Sequence, residues 1–237
     1  MQQNPEFIYF DLDNTLLHHS DAETKAQKEI YGTYPEFESV PETDWIATYK
    51  KVNRALWEQY QKGEIDREHL QHSRFHDSMD RLGLSTDRSK EIGESYMKAY
   101  RKYWRWVDGA EEAISKLSNR YPVGIVTNGF LETQQLKIEV MKLNRFTDTF
   151  VITEEIGVMK PHPRVFDHAT DLAGVSRENI LYVGDSYSSD IIGGRNAGWK
   201  TAWYTAFSKE TTNGHIADFQ FDRFPNLIHF VNGAQTD

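Results

Sequence analysis

Five apolar runs of strand length recur along this chain, at Phe7–Phe10, Val123–Thr127, Thr149–Ile152, Ile180–Val183 and Thr201–Tyr204, and each leads into polar or glycine-containing turn chemistry. Short, nearly continuous apolar runs of this kind read as strands buried on both faces. Helix-length segments lie between them. Asp108–Arg120 places apolar residues at Ala110, Ala113, Ile114 and Leu117, and Pro163–Ala173 opens with proline at a first helical position. Strands alternating with helices predict an α/β fold: a Rossmann-like parallel sheet with helices on both faces. Two more strands, near Asp218–Phe221 and Ile228–Val231, are expected to finish the sheet edge.

The alternation begins only near Trp106. Between the first strand and that point lie four amphipathic segments, Asp21–Tyr31, Thr43–Tyr60, Asp66–Leu82 and Thr86–Trp104, broken at Gly32–Pro41, Gly63 and Gly83. The expected organisation is a core domain of residues 1–15 and 106–237 with an inserted α-helical cap domain, residues 16–105, lying over the strand ends as a lid. The plainer alternative is that these are further core helices.

Composition narrows the function classes. A chain of 237 residues has room for a core and an insert, and 6 Trp, 12 Tyr and 13 Phe exclude disorder over most of it. A net charge of −9 without any run of Lys and Arg argues against polymeric DNA or RNA as a partner. The absence of cysteine removes disulfides, thiolate catalysis and sulfur metal sites together. No apolar run is long enough to span a membrane, and MQQNPEF has neither a basic nor an apolar leader region, so a cytoplasmic protein is expected. The pattern does not choose between monomer and dimer.

The first strand ends in Asp11-Leu12-Asp13-Asn14-Thr15. Residues two apart share a face while a strand continues, so both acids would converge on one spot and repel unless a cation relieves them. An acidic turn or helix cap is the alternative. Three other strand ends carry chemistry. Thr127-Asn128-Gly129 offers a hydroxyl and a glycine-adjacent backbone that could cradle an anion, although Asn-Gly is also a common turn. Lys160-Pro161 precedes a helix start, where the lysine could meet an anion or simply be solvated. Gly184-Asp185-Ser186 is followed by Asp190 and by Gly193-Gly194. Ligands of open parallel sheets bind outside the carboxyl ends of the strands, where all four sites can meet. Oxygen donors with one cation suit Mg²⁺ shared with a phosphoryl group.

Taken together, DLDNT at 11–15, TNG at 127–129, KP at 160–161 and GDSYSSD at 184–190 resemble, in order, the four motifs of the haloacid dehalogenase superfamily. The resemblance spans nearly the whole chain, with residues 16–105 similar to the family's helical C1 cap. It implies that Asp11 is a nucleophile forming an aspartyl-phosphate and that Asp13 is the acid and then the base. Thr127 and the Asn128–Gly129 backbone would bind phosphate, with Lys160 steadying both nucleophile and phosphate. Mg²⁺ would be held by the Asp11 carboxylate, the Asp13 backbone carbonyl and Asp185, with Asp190 one layer further out unless the two acids exchange roles. Dehalogenases of the family lack the second Asp, because halide leaves without a proton; an alkoxide needs one. The implied activity is therefore phosphomonoester hydrolysis of a small phosphorylated metabolite, with phosphosugar phosphatases or mutases and a non-catalytic phospho-ligand binder as rivals.

A narrower resemblance rests on VNRALWEQYQKGEIDREHLQHSRF, residues 52–75, with TNGF, EEIGVMKP and the stretch around GDS, which are similar to the YjjG-type 5′-nucleotidases. It implies a nucleoside 5′-monophosphate substrate, preferably pyrimidine. Trp57, Gln71, His72, Arg74 and Phe75 are the candidate substrate contacts, an aromatic with polar donors being suited to stack on and read a base. The same residues could instead be cap core.

Overall fold

The computed structural model describes residues 4–208, 214 and 216–233. The chain forms two compact units, Met1–His18 with Arg105–Asp237, and His19–Trp104.

The first unit is built on a six-stranded sheet in the order β3-β2-β1-β4-β5-β6. Its strands are β1 (Phe7–Phe10), β2 (Val123–Thr127), β3 (Phe150–Ile152), β4 (Ile180–Gly184), β5 (Lys200–Tyr204) and β6 (Phe219–Phe221). Every pairing is parallel; Ile8 lies opposite Val123 on one side and Leu181 on the other. β1, β2 and β4 are buried throughout, as their unbroken apolar runs require. The order reverses beside β1, so the central strands β2, β1 and β4 end together at the switch point.

Two apolar clusters cover the sheet. Ile8, Phe10, Ile125, Leu181 and Val183 pack on one face with Ala113, Ile114 and Leu117 from the helix Ala110–Ser118, and Phe7, Tyr9, Val126 and Tyr182 pack on the other with Val165, Phe166 and Ala169 from the helix Pro163–Ala173. Two expectations are corrected here. Leu16 and Leu17, expected to open the insert, belong to the first of these clusters, and Leu17 bridges to Trp106, so the chain leaves this unit only after His18. Ile228–Val231 is not an edge strand but the end of a helix, Phe224–Val231. Phe224, Leu227 and Val231 recur at helical spacing and are all buried, which overrides the local β-branched run.

The second unit contains four helices, α1 (His19–Thr33), α2 (Glu42–Gln61), α3 (Arg67–Arg81) and α4 (Ser89–Lys102), with a short 3₁₀ turn at Pro35–Phe37. Asp66 caps α3 by accepting from the His69 N–H at 2.8 Å. The interior is aromatic: Phe37, Trp45, Tyr49, Phe75, Tyr96 and Tyr100 pack with Ala22, Ala26 and Ile92. In the first unit the chain continues with α5 (Ala110–Ser118), α6 (Leu131–Val140), α7 (Thr153–Ile156), α8 (Pro163–Ala173), α9 (Ile192–Asn196) and α10 (Phe224–Val231). No helix among the described residues is long and apolar enough to cross a membrane.

Candidate active site

β1 stops at Phe10, and the next residues turn rather than extend. The Asp11 N–H still donates to the Val183 carbonyl at 2.8 Å, which holds Asp11 between β1 and β4. Asn14 then takes a left-handed conformation with φ 62°, which asparagine tolerates, and its N–H closes the turn on the Leu17 carbonyl at 2.7 Å. Asp13 therefore lies in this turn and not on a continued strand.

Asp11 and Asp13 have different partners. Lys160, 1% exposed, is not the solvated lysine its surroundings in sequence allow. Its Nζ donates to Asp11 Oδ1 at 2.7 Å and Asp190 Oδ1 at 2.9 Å, with the Val126 carbonyl at 3.0 Å and the Tyr182 hydroxyl at 2.6 Å. Burial works against the Lys160 charge, but Asp11 and Asp190 outweigh it and the pKa rises above the usual lysine value. Asp13 turns to Lys137 on α6, whose Nζ lies 2.7 Å from both carboxylate oxygens, and it also accepts from Gln134 Nε2 at 3.1 Å.

A third acid joins Asp11. One carboxylate oxygen from each of Asp11, Asp185 and Asp190 lies within 4.8 Å of the others, an oxygen-only donor set of the kind a hard divalent cation takes. Burial pushes the Asp11 carboxyl up to about 7, with Asp190 and Asp13 adding to the rise and Lys160 opposing it. Asp185 is raised well above the carboxylate range by burial and by the charges of Asp11 and Asp190. Concentrated negative charge that costs this much to ionise is relieved by a cation, and the residues present fit Mg²⁺. Asp190 is committed on both oxygens, to Lys160 and to the Ser186 N–H at 3.0 Å. Gly184 makes its approach possible, because a Cβ there would collide with the Asp190 carboxylate.

The anion-cradle segment is tied to the lysine. Asn128 Oδ1 accepts from the Lys160 N–H at 2.9 Å and the Thr153 hydroxyl at 3.0 Å, while its Nδ2 donates to the Lys160 carbonyl at 3.1 Å. The amide is thus spent on joining two loops, which leaves the Thr127 hydroxyl and the backbone at Gly129 as the groups for an anion. Gly129 has φ 142°, and a Cβ there would strike Gln134.

Lys137, Gln134 and Tyr182 belong to none of the four motifs, and sequence reasoning misses them. A signal exists: Gln134 and Lys137, three apart on α6, are the polar positions that helix buries, and a tyrosine within the buried run of β4 needs a partner for its hydroxyl.

The candidate contacts on the helical unit separate. Gln71 and His72 are exposed, with the His72 ring 5.3 Å from that of His76. Trp57 is half-buried and meets Tyr60 edge-on. Phe75 is corrected: at 1% exposure it lies in the aromatic core against Tyr49, Tyr96 and Trp45, because α3 turns its positions 70, 74, 75 and 78 inward. Arg74 is buried beside it.

Pyrimidine 5′-nucleotidase YjjG of Escherichia coli (strain K12) is 35% identical over 88% of this chain and 90% of its own length. Pyrimidine 5′-nucleotidase PynA of Streptococcus pneumoniae (strain ATCC BAA-255 / R6) is 28% identical, over 94% of this chain and 93% of its own. The crystal structure of HAD-hydrolase YfnB from Bacillus subtilis bound to magnesium superposes with a TM-score of 0.83 at 27% identity, covering 98% of this chain and all of that one. The family model for haloacid dehalogenase-like hydrolases matches residues 8–204, from the first strand through the fifth, and the chain belongs to that family.

Proposed function

We propose that this hydrolase is a Mg²⁺-dependent phosphomonoesterase acting on nucleoside 5′-monophosphates, pyrimidine ones by preference. The observation that carries the reaction class is the separate seating of the two acids, Asp11 on Lys160 and Asp13 on Lys137. Two carboxylates one residue apart in sequence but held by different lysines can take different roles.

In this reading an Asp11 carboxylate oxygen attacks phosphorus and the bond to the leaving oxygen breaks, leaving an acyl phosphate on Asp11. Asp13 gives its proton to the leaving alkoxide, then takes one from the water that attacks the acyl phosphate, releasing inorganic phosphate and restoring both acids. Lys137 and Gln134 hold the Asp13 carboxyl in position for both transfers. Lys160 keeps the Asp11 oxygen oriented, and Thr127 with the Asn128–Gly129 backbone supplies donors to the phosphoryl oxygens. Asp11, Asp185 and the Asp13 carbonyl would hold Mg²⁺, which supplies positive charge to the phosphoryl group. Nucleotide preference is supported by the two similar pyrimidine 5′-nucleotidases, which align over most of the chain.

A panel of phosphate monoesters, nucleotides and sugar phosphates with and without EDTA tests this. Mg²⁺-dependent release of phosphate, highest with pyrimidine 5′-monophosphates, is expected. Hydrolysis that is equal across nucleotides and sugar phosphates overturns the nucleotide assignment and leaves the phosphatase; no hydrolysis of any ester overturns both.

A further inference from the structure

α6 docks on the first unit through polar side chains. Gln134 and Lys137, each 2% exposed, are the residues it buries, and neither is apolar. A helix ordinarily turns an apolar stripe to its core, so a buried amide and a buried ammonium each need bonds that account for them. Lys137 is answered by the two oxygens of Asp13. That grip already holds the carboxylate, and Gln134 does something further.

Gln134 Nε2 lies between two acceptors, Asp13 Oδ2 at 3.1 Å and the Asn128 carbonyl at 3.1 Å. Both neighbours accept, so the donor end of the amide faces them, and Oε1 is left buried without a partner. An unpaired buried acceptor costs stability that methionine or leucine at this position would not cost. Gly129 makes room for the amide, because a Cβ there would strike it. Glu154 fixes the start of the helix by accepting from the Leu131 N–H at 2.6 Å.

The Asn128 carbonyl and the Gly129 N–H belong to one planar peptide, and in a trans peptide they point in opposite directions. The cis bond among the described residues is Lys160-Pro161, so this peptide is trans. Holding the carbonyl on Gln134 therefore sets the direction of the Gly129 N–H, one of the donors assigned above to the phosphoryl oxygens. The same Nε2 fixes Asp13 Oδ2. We propose that Gln134 is a positioning residue that couples the phosphate cradle to the proton carrier: one amide orients the Gly129 N–H and the Asp13 carboxyl together, so that a phosphoryl group seated in the cradle presents its leaving oxygen to the acid. The inference rests on the phosphatase reading above and not on the nucleotide preference, and it adds the residue that joins the two parts of that site.

Two esters separate these parts, since p-nitrophenolate leaves without a proton and an alkoxide does not. Steady-state kinetics of the full-length enzyme with Mg²⁺ compare p-nitrophenyl phosphate with whichever nucleoside or sugar phosphate wild type turns over fastest, in Gln134→Met and Gln134→Leu, with inorganic phosphate as competitive inhibitor. The quantity compared is kcat/KM, which covers the steps up to departure of the leaving group. A loosened cradle should lower kcat/KM for both esters about tenfold and raise the Ki of phosphate about three- to tenfold, and a misplaced acid should lower kcat/KM for the alkyl ester about tenfold more. Tm should stay within about 4 °C of wild type, because removal of the unpaired Oε1 offsets loss of the bond to Asn128. A raised Ki with an unchanged ratio between the esters means that Gln134 serves the cradle alone, and a shifted ratio with an unchanged Ki means that it serves Asp13 alone; either overturns the coupling. A larger fall in Tm with equal losses on both esters and an unchanged Ki makes Gln134 structural and also overturns it. A wild type that releases phosphate from no ester removes the phosphatase reading, and the inference with it.

Discussion

The two units treat buried charge in opposite ways. At the strand ends of the first, Lys160 is shared between Asp11 and Asp190, and Lys137 grips both oxygens of Asp13. In the second, Arg74 makes no ion pair among the described residues and lies over the Phe75 and Tyr96 rings instead. Groups that act on a transferring phosphoryl must be in place beforehand, because fixed dipoles and charges that need not reorganise lower the barrier most. A cation over aromatic faces is held by packing and by the ring electrons, and its placement does not have to meet a reacting group.

The sharpest way to break this contrast is at the acids. Asp11→Asn keeps shape and removes the proposed nucleophile, so kcat should fall by at least about 10⁴-fold. Asp13→Asn should cost about 10²- to 10⁴-fold, the range for one general acid–base group. Both are read by phosphate release at saturating substrate, with circular dichroism showing the fold kept. A wild-type rate in Asp11→Asn removes the nucleophile assignment.

Stability distinguishes the units next. Lys160→Met strands Asp11 and Asp190 without their cation and should cost about 3–5 kcal/mol in urea unfolding. Arg74→Met, which keeps the apolar stem and leaves no hydrogen-bonded carboxylate behind, should cost less, and equal destabilisation by the two would erase the contrast.

Proton linkage gives a smaller effect. Without metal, the Asp11 carboxyl is raised to about 7. Over the range between the usual carboxylate value and 7, the native state holds a proton that the unfolded chain has released. The stability this contributes is complete below about pH 4 and lost as pH rises through 7. Mg²⁺ requires the ionised forms of Asp11 and of Asp185, which is raised as well, so its Kd should fall by at least about tenfold between pH 6 and pH 8, measured by calorimetry. A Kd independent of pH would show that Asp11 does not bind the ion.

The smallest expected change is local to the helical unit. Asp66→Ala removes the α3 N-cap and should cost about 1 kcal/mol without altering turnover. A change in KM for nucleotides would mean that the position of α3 affects substrate recognition.

Much of the fold and of the candidate site is legible in the order of the amino acids. Apolar runs locate the strands, since a strand buried on both faces has no room for polar residues, and Asp11, Thr127 and Asp185 stand at their carboxyl ends, while Lys160 follows β3 only after the short helix Thr153–Ile156. The segment Ile228–Val231 shows the limit. Three apolar residues and a histidine are too short a run to carry a period, and only packing of Phe224, Leu227 and Val231 against the sheet makes that segment helical.

By itself the sequence determined the alternation of strand and helix, the insertion of four helices and the acids at the strand ends, because all of these follow from local patterns of burial and turn chemistry. Tertiary structure alone decided how the charges pair. Lys137 lies 124 residues from Asp13 and Lys160 lies 149 from Asp11. Electrostatic partnership depends on distance in space, which spacing along the chain does not encode, so only the folded protein separates a lysine buried between two carboxylates from an arginine held over aromatic rings.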